Sequence, residues 1–286
     1  MINIIVALPC EARPLIDTLH LHKRDGVNAF PLYHTTEHED AVNLMVCGLG
    51  SLAAATATAY LQGLQQQQPA AAWLNLGIAG SRAFELGDAV LAHRVIDNTS
   101  GQRFYPGLCF ELPCATAEVI SVDTPETRYT GNAVYDMEAA GFYSAAMRFA
   151  PSEMIHCVKV ISDTQEQSIA SIDEAMVIQL ITQRLPEIRQ LLTRLGALAN
   201  ELAGINAIPD AFHTISARWR FTVSQQHQLK NLLWRWQALA TEPVSNAIDA
   251  GQFKHGKQVL QHLEARLAAL PLHFGSKTKP TDSKPS

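Results

Sequence analysis

At 286 residues the chain is long enough to bury a full core, and 47% hydrophobic with 17% charged residues is the balance of an ordinary globular protein, not of a disordered one. No apolar run reaches the roughly 18–20 residues that span a bilayer, and Glu11 and Arg13 follow the first short apolar run at once, against a signal peptide. Residues 1–195 hold 12 Lys and Arg against 21 Asp and Glu, while residues 196–286 hold 10 against 6, so a nucleic-acid surface is disfavoured in the first part and only permitted in the second.

In chain order, strand-like and helix-like runs alternate over the first 195 residues, which predicts a layered α/β domain. Candidate strands cover residues 3–8, 42–47, 73–76, 89–93, 119–122 and 155–161. An alanine-rich helix over residues 52–64 follows Gly48-Leu49-Gly50-Ser51, with Ser51 placed to cap it. Residues 65–68 are a glutamine tract, predicted to be a solvated loop. A helix over residues 139–149 opens behind Met137-Glu138. Ser171-Ile172-Asp173-Glu174 has the form of a capping box, and the helix it starts is expected to run to about residue 195 with a bend at Pro186.

Beyond Gly196 the strand signals stop. Leu229, Leu232, Leu233, Trp236 and Leu239 recur at helical spacing, as do Leu260, Leu263, Leu267 and Leu270. Ser245 lies between the two runs, placed to cap the second. This predicts an antiparallel helical hairpin over residues 196–274 and a disordered tail over residues 275–286. Arg218-Trp219-Arg220 and Trp234-Arg235-Trp236 interleave basic and aromatic residues, as some single-strand binders do. Trp236 falls on the apolar stripe, so packing, a lid or an oligomer contact is preferred to nucleic acid.

Five cysteines, odd in number and without a Cys-x-x-Cys pair, read as reduced and mostly buried thiols of a cytoplasmic protein. His34 and His38 are four apart with Glu37 and Glu39 nearby. The segment is polar and turn-like, with nothing to align the two rings, so no metal site is expected.

Four segments carry acids or glycines at strand ends and helix starts, where α/β proteins line their ligand crevices. They are Ala7-Leu8-Pro9-Cys10-Glu11; Asn75-Leu76-Gly77-Ile78-Ala79-Gly80 with Gly87-Asp88 after it; Asp136-Met137-Glu138; and Ile161-Ser162-Asp163. By residue type alone each acid also has a plain structural reading. Glu11 and Glu138 suit the dipole at a helix start, and Asp163 suits a cap after a strand.

In order and approximate spacing these segments resemble the nucleoside phosphorylase and nucleosidase superfamily, and within it the methylthioadenosine/S-adenosylhomocysteine nucleosidases. The resemblance implies a phosphorylase-like three-layer α/β domain with a central mixed sheet over residues 1–195, to which the C-terminal helical extension is added. It implies cleavage of the N-glycosidic bond of a purine nucleoside, most simply a 5′-modified adenosine. Glu11 then activates the attacking water and Asp163 protonates the purine at N7. Met137 packs on the ribose, Glu138 accepts hydrogen bonds from its hydroxyls, Gly77 and Ala79 let backbone approach the ligand, and Ser162 belongs to the same site. No metal or organic cofactor is implied, and the expected assembly is a homo-oligomer without membrane or nucleic acid.

The chain departs from the family pattern in two places. The stretch between Gly101 and Ala133 is shorter, and although Phe104, Tyr105 and Tyr129 are available to face the base, none is assigned. Ile78 stands where a small or hydroxyl residue is expected. The Gly-Asp-Pro-x-Arg phosphate loop of one phosphorylase branch is absent, although Arg13, Arg82, Gly50 and Ser51 offer another cradle. Hydrolysis is preferred, phosphorolysis with phosphate as co-substrate is the alternative, and a non-catalytic nucleoside-binding protein with a partner-binding helical tail is the third reading.

Overall fold

The apolar run at the start of the chain is buried along its length as strand β1 (Ile2–Val6). It belongs to a computed structural model that describes residues 1–35, 41–65, 71–129, 131–166, 172–248 and 253–270. The strands that follow are β2 (His22–Lys23), β3 (Leu32–His34), β4 (Val42–Val46), β5 (Ala72–Ser81), β6 (Ala89–Asp97), β7 (Arg103–Phe104), β8 (Ala115–Ser121), β9 (Val134–Asp136) and β10 (Ile155–Asp163). Among the described residues they form one mixed sheet, with β4, β1, β5 and β10 running parallel to one another, and with β3 antiparallel to β4, β9 to β5 and β6 to β10. Strand β5 is long enough to pair with β1 and β10 on its two sides and with β9 near its end, so one half of the sheet curls back on itself.

Side chains alternate faces along a strand, and this divides the core in two. Ile2, Ile4, Val6, Leu74, Leu76, Val158 and Val160 face one cluster with α1 (Pro9–Thr18), and Ile5, Ala7, Trp73, Ile155, Cys157 and Ile161 face the other with α2 (Ser51–Leu64) and α3 (Ala139–Ala146). The first face is completed by α4 (Glu174–Gln183) and α5 (Leu185–Asn206). Helices on both faces of a mixed sheet are the three-layer arrangement expected from the sequence.

Several local expectations are corrected. Gly50, at φ +97°, is the N-cap of α2, and Ser51 is its first helical residue. The helix over residues 139–149 ends at Ala146. The cap at Ser171 lies outside the described residues, and Asp173 caps α4 by accepting from the Met176 N–H at 2.7 Å. The single bent helix is two helices, with Arg184 between them and Pro186 in the first turn of α5, where its missing N–H is harmless. The other calls on residues 36–40 and 66–68 and on the tail also lie outside the described residues. His34 sits on β3, its Nδ1 2.9 Å from the Thr35 carbonyl.

The chain divides into units Met1–Asn206 and Ala207–Ser286, so the boundary expected after Leu195 falls inside α5. In place of a two-helix hairpin, the second unit holds α6 (Asp210–Arg218), α7 (Val223–Leu239), α8 (Val244–Ala247) and α9 (Gly256–Ala268). Both leucine stripes are there: Leu229, Leu232, Leu233 and Trp236 pack with Leu260, Leu263 and Leu267. Ser245 is within α8 and does not cap α9, whose N-cap is His255. Among the described residues no helix is long and apolar enough to cross a membrane.

Candidate active site

Because β1, β5 and β10 run parallel, their carboxyl ends lie side by side, and the turns that leave them face one crevice. There a cavity of about 280 Å³ is lined by Glu11 and Leu8 after β1, Ile78, Ala79 and Gly80 on β5, Ser162 and Asp163 at the end of β10, and Asp136, Met137 and Glu138 where β9 turns into α3. Leu49 and a loop including Val122, Glu126 and Tyr129 complete the wall. The size falls just below the roughly 300–1,000 Å³ common for small-molecule sites. Of the residues singled out from the sequence, Glu11, Ala79, Met137, Glu138, Ser162 and Asp163 all reach this one cavity. Gly77 stands one step behind it, and a side chain there would press on the Glu11 carboxylate at 2.8 Å.

Glu11 is not a solvated first-turn acid. It is 2% exposed, and its Oε2 accepts the N–H groups of Ala7 and Leu8 at 2.8 Å each while Oε1 accepts that of Ile78 at 2.9 Å. Burial pushes its pKa up, and the Ile78 N–H, Lys159 and the other two N–H groups draw it back.

Glu138 closes the opposite wall. Its Oε1 accepts the Gly50 N–H at 2.7 Å, which ties α3 to the start of α2. The Ser51 hydroxyl donates to the Met137 carbonyl at 3.0 Å, fixing the same junction. Burial foremost raises Glu138 to about 7, with Asp136 adding and Lys159 and the Gly50 N–H opposing. The proposed phosphate cradle is therefore not formed. Gly50 N–H and Ser51 hydroxyl are engaged, Arg13 pairs with Asp17 at 2.8 Å on the surface, and Arg82 is exposed.

At Asp136 the cavity wall is backed by a pair that the motif reading passed over. Lys159 Nζ stands 2.7 Å from Asp136 Oδ2, both side chains essentially without solvent contact. Asp136 also accepts the Ala139 N–H at 2.8 Å and the Ser121 hydroxyl at 2.6 Å, so it satisfies the first N–H of α3 as well. Burial works against a charged Lys159, but Asp136 foremost among its neighbours outweighs it and holds the ammonium above the ordinary lysine range. A lysine in the middle of the apolar run Ile155–Asp163 was the available signal, since a buried cation requires a partner.

Asp163 is 3% exposed, with its Oδ1 accepting the Ser162 hydroxyl at 2.6 Å and its Oδ2 accepting the hydroxyl of Tyr129. Tyr129 is thus the one of the three unassigned aromatics that lines the cavity. Phe104 is buried against Tyr143 away from it, and Tyr105 is exposed. Ile78 does face the cavity, so no hydroxyl stands at that point.

No protein-family model and no curated protein matches the chain. Solved structures do. The 5′-methylthioadenosine/S-adenosyl homocysteine nucleosidase of Helicobacter pylori superposes with a TM-score of 0.55 at 11% identity, over 68% of this chain and 97% of that one. The corresponding nucleosidase of Colwellia psychrerythraea, in complex with adenine, gives 0.53 at 20% identity over 68% and 93%. Futalosine hydrolase of Helicobacter pylori gives 0.55 at 12% identity over 68% and 97%. At these identities the likeness is one of fold, and the fold is the one the sequence motifs implied.

Proposed function

We propose that this chain, on the fold those nucleosidases share, hydrolyses the N-glycosidic bond of a purine nucleoside, a 5′-modified adenosine in the simplest case. The carrying observation is that Glu11, Glu138 and Asp163, from three distant segments, line one cavity of nucleoside scale. Cleavage needs an acid at the base, acceptors on the sugar and a base for water. Asp163 gives a proton to the purine as the C1′–N9 bonding pair leaves with the base. Glu138 accepts from the ribose hydroxyls while Met137 packs on the ring. Water held by Glu11 attacks C1′ and leaves its proton on that carboxylate. The groups required are side chains, so no metal or organic cofactor enters the reading.

Hydrolysis is preferred to phosphorolysis because the cradle at Gly50 and Ser51 is taken up by internal hydrogen bonds. Leu49, 61% exposed on the cavity wall, and Leu52, 82% exposed in the first turn of α2, suit cover by a second copy in a homo-oligomer. Five unpaired cysteines suit a reducing, cytoplasmic setting.

The test is base release from methylthioadenosine, S-adenosylhomocysteine, 5′-deoxyadenosine, adenosine and inosine, with and without phosphate. Release without phosphate, lost in Asp163→Asn, is the expected outcome. Strict dependence on phosphate moves the protein to the phosphorylases, and silence with every nucleoside sinks the enzymatic reading.

A further inference from the structure

Tyr129 has no role in the reaction as drawn, yet the site is built around it. Its side chain is 4% exposed, its ring centre lies 5.7 Å from that of Tyr135, and its carbonyl accepts from the Gln165 amide at 3.4 Å. The phenol reaches Asp163 across Gly80. A methyl at Gly80 would run into both the Tyr129 hydroxyl and the Asp163 carboxylate, so the bare backbone there is what lets the two meet. Ser162 holds the other carboxylate oxygen.

We infer that Tyr129 is a positioning residue: with Ser162 it clamps both oxygens of Asp163 and fixes the direction in which that carboxyl faces the base. This rests on the nucleosidase reading. The phenol is the donor of the pair, because burial and then the Asp163 carboxylate push its pKa up and keep it protonated. A free carboxyl turns about its last bond over a broad range, and small losses of orientation are costly in catalysis.

The test uses the full chain and two readouts. In ligand-free protein, the Tyr129 hydroxyl proton is expected as a resonance downfield of the amide envelope, absent in both Tyr129→Phe and Asp163→Asn. In turnover, Tyr129→Phe is expected to lower kcat about tenfold with little change in KM, an effect of lost orientation. A phenylalanine that merely left a packing gap would weaken binding and stability and would not lower kcat at unchanged KM. Wild-type kcat in Tyr129→Phe, or no such proton resonance in wild type, overturns the inference and leaves the reaction standing. Absence of base release from the wild type overturns the reaction and the inference with it.

Discussion

Glu138 shows how one residue's surroundings set a measurable property. Its pKa of about 7 means that the neutral form is favoured by folding relative to the ordinary 4.5. Its contribution to stability is therefore fully present below about 4.5 and is lost as pH rises through 7. On the proposed function ligand binding would run the other way, because only the carboxylate would accept from both ribose hydroxyls. KM should fall about tenfold from one pH unit below that value to one above it, and Glu138→Gln should flatten this limb. Lys159→Met makes the complementary point. It leaves Asp136 buried without its cation, which costs roughly 3–5 kcal/mol, to be read by chemical denaturation. The acids were legible from the sequence as acids at element ends. That Lys159 and Tyr129 answer to Asp136 and Asp163 was not, because neither pair shares an element or a periodicity.

At the scale of elements, the site depends on how closely α2 and α3 approach. Gly141 sits inside α3, and a methyl on it would collide with the backbone carbonyl of Ser51 in α2. Helix propensity alone favours alanine over glycine by about 1 kcal/mol. The obstacle here is backbone, which cannot swing aside, and overpacking of that kind costs about 1–3 kcal/mol. Gly141→Ala is accordingly expected to lower Tm, and with it to weaken nucleoside binding, since the same separation pulls the Gly50 N–H from Glu138. An unchanged or raised Tm would count against this packing account. The sequence showed both helices but misassigned their junction. Ser51 reads as a cap from its residue type, whereas the positive φ of Gly50 and the reach of Met137 give the hydroxyl a different partner.

For the whole molecule, the apolar clusters of the two units share no residue. The cavity, the sheet and the clusters on both its faces draw on residues before Asn206, while Phe212, Trp219, Trp236 and Leu263 close a separate core beyond it. A fragment of residues 1–206 is therefore expected to fold cooperatively and keep base release, checked by thermal melting followed by the nucleoside assay. A folded fragment without turnover would mean that the second unit completes the site.

The sequence by itself placed strands β1, β4, β5, β6, β8 and β10 and the α/β alternation, because apolar periodicity is a local signal, while the short strands β2, β3, β7 and β9 escaped it and the three-layer class came from the family resemblance. It also placed both leucine stripes of the C-terminal part in helices. Only the tertiary structure decided that the three acids meet in one cavity, that a buried lysine balances Asp136, and that a tyrosine holds Asp163. Among the described residues it also replaced the hairpin with helices α6, α7, α8 and α9, and it moved the unit boundary into the end of α5. Those outcomes depend on strand register and on backbone approach between distant segments. Such contacts leave no mark in the spacing of neighbouring residues.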